Sequence, residues 1–416
     1  MSTEPLHASA SAHPAVLAPG ERRRGLAVVF AATFLELVGY FMLVPLMAVV
    51  LAERGFGPAF IGLFGAMPWL GILCATPFVA RLVQQVGRGA ALWISGAVPL
   101  VAGLGFLATD SIPAWFALWF AGGLASALRW VVAEATVAEL APTANRGRWV
   151  GLFETMVGAT FVVGPALLWV AGTDGSLPFA VSAASIGLGL ATLLALPRLP
   201  REAAAQGAEV LGVRGIRTAL RASPVLMTVG FVGGFFESGL SGLLPVWGLA
   251  LGWSAALAAL LVAASGAGSS LAMVPAGEAA DRLGRHPVML GCALAVLVAT
   301  LLLPLVSGAT ALAWLVAFCW GGAGGALYTL AMIDLGDRAK GLALMNATAV
   351  LVSCYTAGGV LAPLAGGAAM QWAPVIGLPA LLVAVAAGGV AVLLRAGAAA
   401  TRGRVAAARP ASGRPT

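Results

Sequence analysis

Residues 277 to 286 read Gly277-Glu278-Ala279-Ala280-Asp281-Arg282-Leu283-Gly284-Arg285-His286. Two acids and two arginines crowd into a stretch that joins two long apolar runs, in a chain with only 9% charged residues. Such a density of charge belongs outside hydrocarbon, so the runs on either side read as spans and this stretch as the turn between them. Its glycines let the chain reverse tightly between antiparallel helices. The composition agrees: 60% of the 416 residues are hydrophobic and the mean hydropathy is +0.98, beyond what a soluble core of this length uses.

A spanning helix takes roughly 20 mainly apolar residues. Twelve runs qualify: 25–51, 59–80, 90–109, 114–138, 149–171, 177–196, 224–250, 255–277, 287–306, 310–334, 341–370 and 374–394. None alternates with the period of a membrane strand, and backbone groups in lipid must be satisfied within their own segment, so each is read as a helix. The sequence therefore predicts an all-α membrane protein with twelve transmembrane helices.

Charge distribution orients the chain. Of the 23 Lys and Arg, Arg54 falls on one face, Arg129 inside a span, and the rest on the other face. The positive-inside rule then puts both termini in the cytoplasm of a bacterial inner membrane. The net charge of +7 faces anionic lipid at the cytoplasmic surface rather than nucleic acid. The first run follows Arg22-Arg23-Arg24 without a small-residue cleavage site and reads as an uncleaved span. Cys74, Cys292, Cys319 and Cys354 lie in runs without metal-ligand spacing and read as packing residues.

The longest connection, 197–223, separates six runs from six. It gives a cytoplasmic tail at 1–24, an N-terminal bundle at 25–196, a linker, a C-terminal bundle at 224–394 and a basic tail at 395–416 that is expected to be disordered. The halves repeat at an offset of roughly 200 residues. Gly39 and Pro45 match Gly239 and Pro245, Glu134 matches Asp334, and Gly164-Pro165 matches Ala362-Pro363. Ala80-x3-Gln84-Gln85-Val86-Gly87-Arg88 mirrors the opening stretch, with Gln84 and Gln85 in place of Asp281 and Arg282. Two pseudo-symmetric six-helix bundles with a substrate path between them follow.

The pattern G-x3-D-R-x-G-R resembles the cytoplasmic loop signature of the major facilitator superfamily, and the resemblance covers all twelve runs. Trp130-Val131-Val132-Ala133-Glu134, Asn145-Arg146-Gly147-Arg148, and Gly325-Ala326-Leu327-Tyr328 with Met345-Asn346 look like its YcaD-like bacterial branch. The resemblance implies that Gly277, Asp281, Arg282, Gly284 and Arg285 latch the cytoplasmic faces of the two halves, with Asp337 and the start of helix 5 near Trp149 as partners. Arg81 or Arg88 with Glu139 would form a mirror latch, weakened by the two glutamines. Gly158-x5-Gly164-Pro165 resembles a helix-5 motif associated with antiport, although Leu167 and Leu168 replace its following glycines. Pro363, within Ala362-Pro363-Leu364-Ala365-Gly366-Gly367, carries the fuller version; helix packing is the alternative role for all four positions.

Glu36 and Glu237 lie about 17 and 20 Å into their runs at about 1.5 Å per residue, near the middle of a bilayer core of roughly 30 Å. Such carboxyls are expensive unless they face a cavity, so both are expected to carry protons between the halves; a protonated, packing role is the alternative. Arg129 and Glu134 are five residues apart and face differently. Arg129 is expected to meet a carboxyl of another helix, such as Glu36 or Glu154, or to snorkel. Arg129, Glu134, Asp334, Trp130 and Tyr328 are candidates for a charge relay or substrate contact. The superfamily often places an Arg earlier in helix 4, where this chain has Trp119. Trp69, Trp130, Trp320 and Tyr328 could line a pocket.

These readings converge on a secondary transporter that moves a small organic solute by alternating access, proton-coupled, with export favoured. Import of a small organic anion or sugar, and a non-transporting receptor of the same fold, are the alternatives. No nucleotide fingerprint, metal-ligand spacing or clustered nucleophile and base is present, so no enzyme activity or cofactor beyond the proton gradient is expected. A monomer is expected.

Overall fold

The computed structural model describes residues 17–142, 146–199, 213–237, 239–303, 305, 310–338 and 341–408. The start of the N-terminal tail with His7 and His13, linker residues 200–212, Asn145, Lys340 and residues 409–416 lie outside the described residues, as do the side chains of Met345 and Asn346.

Fourteen helices account for the described chain: α1 (Pro19–Glu53), α2 (Pro58–Val86), α3 (Arg88–Ala108), α4 (Ile112–Leu140), α5 (Arg146–Ala171), α6 (Leu177–Thr192), α7 (Val213–Ala222), α8 (Pro224–Glu237), α9 (Leu244–Ala250), α10 (Ala255–Leu283), α11 (Arg285–Leu301), α12 (Thr310–Arg338), α13 (Gly341–Trp372) and α14 (Gly377–Ala408). Every apolar run is helical. Ten of the helices are long and apolar enough to cross a bilayer; the seventh run is divided between α8 and α9, and the ninth is the shorter α11. The basic tail is not unstructured from residue 395 onward, because α14 continues to Ala408. Within the linker, α7 forms a short helix.

The opening stretch is mostly helix. α10 runs to Leu283 and α11 starts at Arg285, so the reversal rests on Gly284 alone. Gly284 has φ 88° and ψ 153°, and Gly87, between α2 and α3, has φ 83° and ψ 158°. A side chain rarely tolerates that backbone conformation. The two halves thus make the same turn with the same residue, which is the repeat expressed in backbone angles.

The seventh run breaks where its counterpart in α1 does not. Gly239 N–H donates to Gly234 C=O at 2.9 Å, one residue further back than an α-helix requires, and Leu243 N–H reaches only to Leu240 C=O. Gly239-Leu240-Ser241-Gly242 supplies two glycines where α1 has Gly39-Tyr40-Phe41-Met42, and glycine is the weaker helix former. A methyl at Gly239 would sit 2.3 Å from Ala362 Cβ, so the break also lets the segment press onto α13.

Small residues bring the helices together. A methyl at Gly268 of α10 would lie 1.9 Å from the Phe318 carbonyl oxygen of α12, and one at Gly321 would lie 1.8 Å from that of Ser265. Between the halves, α2 meets α13 and α5 meets α10. A methyl at Gly62 would lie 2.1 Å from the Pro363 carbonyl oxygen, one at Gly367 2.5 Å from that of Pro58, and one at Gly266 2.4 Å from Phe161 Cβ. Such backbone approach is how helices associate where lipid removes the hydrophobic drive.

These contacts are confined to part of the length. At the end away from the Gly87 and Gly284 turns, a methyl at Gly57 would meet the Gln371 side chain at 2.3 Å. Midway, a methyl at Gly158 of α5 would lie 2.5 Å from Ser270 Oγ of α10. Two helical turns nearer the Gly284 end, on the same faces, Gly151 and Gly277 meet nothing within 4 Å. The halves close at one end and part at the end that carries the glycine turns.

Gly268→Ala is expected to cost about 1–3 kcal/mol, read as a lower melting temperature of the detergent-solubilised protein. Gly291→Ala, with nothing within 4 Å of the added methyl, is expected not to lower the melting temperature and to raise it slightly, because alanine is the better helix former.

Candidate functional site

Two charged centres lie in the membrane region, and one residue of helical register separates their roles. With Gly39 aligned on Gly239, Glu237 corresponds to Leu37, not to Glu36. One residue rotates a side chain by about 100° about its helix. Glu36 therefore turns away from the path between the halves, which corrects its expected place in a central cavity.

Glu36 accepts a hydrogen bond from Arg129 Nη2 in an ion pair whose members are each buried to within a few per cent. The pair lies inside the N-terminal half, among α1, α3, α4 and α6. A methyl at Gly96 of α3 would come 3.0 Å from Arg129 Nη2 and 3.3 Å from Glu36 Oε2, so the glycine clears the space the pair occupies. Arg129 Nε and Nη1 and Thr33 Oγ1 have no hydrogen-bond partner among the described residues. Of the two carboxyls considered for Arg129, the structure selects Glu36.

The second centre joins the halves. Glu237 ends α8 at the break in the seventh run; Ser269 Oγ of α10 donates to its Oε1, and Tyr355 OH of α13 donates to its Oε2 at 3.0 Å. A methyl at Gly325 of α12 would lie 2.8 Å from both Glu237 Oε1 and Ser269 Oγ. On the N-terminal side, Trp130 lies beside Glu134, and the Glu134 carboxyl lies within hydrogen-bonding reach of that of Glu154 on α5. Two carboxyl groups can bond in this way only by sharing a proton. Glu154 lies within electrostatic reach of Glu237, and Tyr328 within reach of all three acids. Protein surrounds Glu154, yet it keeps open surface on the side where the halves part.

Aromatic rings fill the gap between these acids. Tyr355 is 4.5 Å from Tyr328 between ring centroids, and 6.3 Å from both Trp69 and Trp130, which meet it edge to face. Toward the closed end, Tyr40, Trp69, Trp119 and Ser241 line a narrow cavity of about 20 Å³, room for one or two waters at most. Trp320 is not part of this lining: it is buried and donates to Thr300 Oγ1 at 3.0 Å.

Other expected participants lie elsewhere. Asp334 pairs with Arg338 one turn along α12, at 2.6 Å, so it does not join Arg129 or Glu134 in a relay. Arg88 pairs with Glu139, and Arg285 with Asp337. Each of these ion pairs stays within its own half, at equivalent places, and Arg22 Nη2 adds a bond to the Glu139 carbonyl at 3.1 Å. Among the described residues each half thus keeps one such pair, despite Gln84 and Gln85. Asp281, Arg282 and Arg81 are exposed and make no ion pair with another described residue. Of the packing positions, Gly164 faces the α1 backbone, where an added methyl would lie 2.8 Å from Val38 O, Gly158 faces α10, Pro363 faces α2, and Pro165 is buried in α5.

Sequence reasoning undervalued Glu154 and missed Tyr355 and Ser269. Glu154 was legible by the rule that singled out Glu36 and Glu237, an acid well inside an apolar run. A tyrosine and a serine in a span carry no comparable signal.

The sequence profile of the Major Facilitator Superfamily matches residues 29–346 and 226–413, and the chain belongs to that superfamily. Among its relatives, the uncharacterized MFS-type transporter YfkF of Bacillus subtilis (strain 168) is 25% identical over 334 residues, covering 79% of this chain and 84% of that one. An uncharacterized MFS-type transporter of Yersinia pestis (strain Pestoides F) is 25% identical over 315 residues, covering 75% and 80%. The fold resembles crystal structures of the nucleoside transporter NupG, with a TM-score of 0.72, 12% identity and coverage of 89% of this chain and 97% of that one. It also resembles a D-xylose-proton symporter, with a TM-score of 0.71, 16% identity and coverage of 89% and 96%.

Arg129→Gln leaves Glu36 buried without its counter-charge and is expected to cost about 3–5 kcal/mol. The double variant Glu36→Gln with Arg129→Gln is expected to recover most of that loss. Thermal unfolding of the two single variants and the double variant in detergent measures the coupling.

Proposed function

We propose that this superfamily member is a proton-coupled secondary transporter of a small organic solute, working by alternating access, with export as its direction. The observation that carries the reading is the centre where the halves meet. Glu134 and Glu154 from one half and Glu237 from the other converge there, the first two close enough to share a proton. Carboxyls at such a depth are costly, and proton exchange gives them a use. Glu36, tied to Arg129, is a structural charge in this reading, and Glu134 and Glu154 take its place beside Glu237 as proton carriers.

The one-sided opening supports alternating access. With the basic residues facing the cytoplasm, the parted end is the cytoplasmic one and the conformation faces inward. The units that rock are residues 25–196 and 224–394 about the α2–α13 and α5–α10 contacts. Asp281 and Arg282, exposed here, are free to engage the other half when the cytoplasmic end closes, while Arg88–Glu139 and Arg285–Asp337 brace each half. Antiport is favoured over symport because the solute and the proton would compete for the same carboxyls. The basic α7 and the extension of α14 would rest against anionic lipid.

In proteoliposomes carrying a pH gradient, Glu237→Gln and Glu154→Gln are each expected to reduce solute-driven proton flux at least tenfold. Cysteines replacing Gly151 and Gly277 are expected to react with an impermeant reagent from the cytoplasmic side and to become protected when the carrier is driven outward. Unaltered flux in both glutamine variants, or labelling that never changes, would contradict the reading.

A further inference from the structure

The chemistry of the central site restricts the solute class, on the reading that the solute enters between the halves. Three carboxyls face the site: Glu134 from α4, Glu154 from α5 and Glu237 from α8. The side chains that meet them from α10, α12 and α13 are Ser269, Tyr328 and Tyr355, none of them basic. Arg129, the one basic residue inside an apolar run, is turned into the N-terminal half and held by Glu36. An anionic solute would meet no counter-charge among the residues described here.

A polyol fares little better. Sugars and similar solutes need a dense set of directional donors and acceptors. The whole chain has two asparagines, Asn145 and Asn346, and four glutamines, Gln84, Gln85, Gln206 and Gln371. None is among the residues described at the central site. What the site offers beside its acids is ring faces: Trp69, Trp130 and Tyr328 gathered around Tyr355. Carboxylates beside aromatic faces attract cations through both charge and the ring quadrupole.

We propose that the central site takes a lipophilic organic cation, a protonated amine or a quaternary onium on an apolar aromatic body, with its charge against Glu134 and Glu154 and its body on Trp130, Tyr328 and Tyr355. The proton shared by Glu134 and Glu154 occupies the place of that charge. Binding of one monovalent cation therefore releases one proton, and the charge of the site is unchanged. The same exchange makes binding weaker in acid, because the proton and the cation compete for the pair.

The test uses purified full-length protein in detergent and two probes of the same shape and opposite charge, tetraphenylphosphonium and tetraphenylborate. Calorimetry is expected to show saturable binding of the phosphonium, weaker at mildly acidic than at mildly alkaline pH, with proton release that follows from buffers of different ionisation enthalpy. Glu154→Gln is expected to weaken it at least tenfold, Glu154→Asp to retain most of it, and Trp130→Ala to weaken it with proton release preserved. Saturable binding of the borate at equal or higher affinity would overturn the inference, as would phosphonium binding indifferent to both pH and Glu154→Gln. Absence of phosphonium binding in protein whose Gly151 and Gly277 cysteines still alternate in accessibility would overturn the cation assignment and leave the transport reading standing. Loss of that alternation as well would remove both.

Discussion

Hydrocarbon offers no partner to a backbone amide or to a charge, and nearly every feature of this protein answers that constraint. The backbone answers it by closing its own hydrogen bonds in helices. Helices, once closed, gain little from burying apolar side chains against apolar lipid, so they associate through close backbone approach. Gly62 against Pro363, Gly268 against Phe318 and Gly321 against Ser265 are the points where a side chain would forbid contact. Glycine, costly in a soluble helix, is here what allows helices to pack.

Charge answers the same constraint in two ways. Arg129 and Glu36 cancel each other in the dry interior of one half, leaving two guanidinium nitrogens without a hydrogen-bond partner among the described residues. The acids at the join of the two halves meet no base among the described residues; Glu237 takes hydroxyl donors, and on the proposed reading Glu134 and Glu154 share a proton. A pair of opposite charges is a fixed feature of the fold, whereas a shared proton can be exchanged. The difference between the two centres comes from a shift of one residue in the repeat.

The repeat is most faithful where the chain leaves the membrane and least faithful at its centre. Gly87 and Gly284 adopt nearly the same φ and ψ, and each half pairs an arginine after its turn with an acid near the end of the following helix, Arg88 with Glu139 and Arg285 with Asp337. Near the centre, α1 runs unbroken past Gly39 while the seventh run breaks at Gly239. The two glycines of Gly239-Leu240-Ser241-Gly242 weaken the helix just beyond Glu237, which places the end of α8 beside Ser269 and Tyr355. The repeat holds in the frame of helices, and departures from it shape the centre where the halves meet.

Much of this was legible before any tertiary contact was known. Twelve apolar runs, the one-sided arginines, the glycine turns and the acids deep inside spans are properties of the chain in one dimension, and lipid translates them directly into helices and ends. Arg129 as partner of another helix's acid was also within reach. That Glu36 faces its own bundle, that Glu154 joins Glu134, that Asp334 is spent on Arg338, and that Tyr355 gathers the aromatic rings were not. Such facts depend on how each helix is rotated about its axis and which neighbour it meets, and a step of one residue, about 100° of rotation, is enough to move a carboxyl from a closed ion pair to the path between the halves. The sequence by itself determined the helices and their ends, because lipid penalises each exposed polar group independently; only the tertiary structure decided which charges meet, because pairing is a property of packed surfaces.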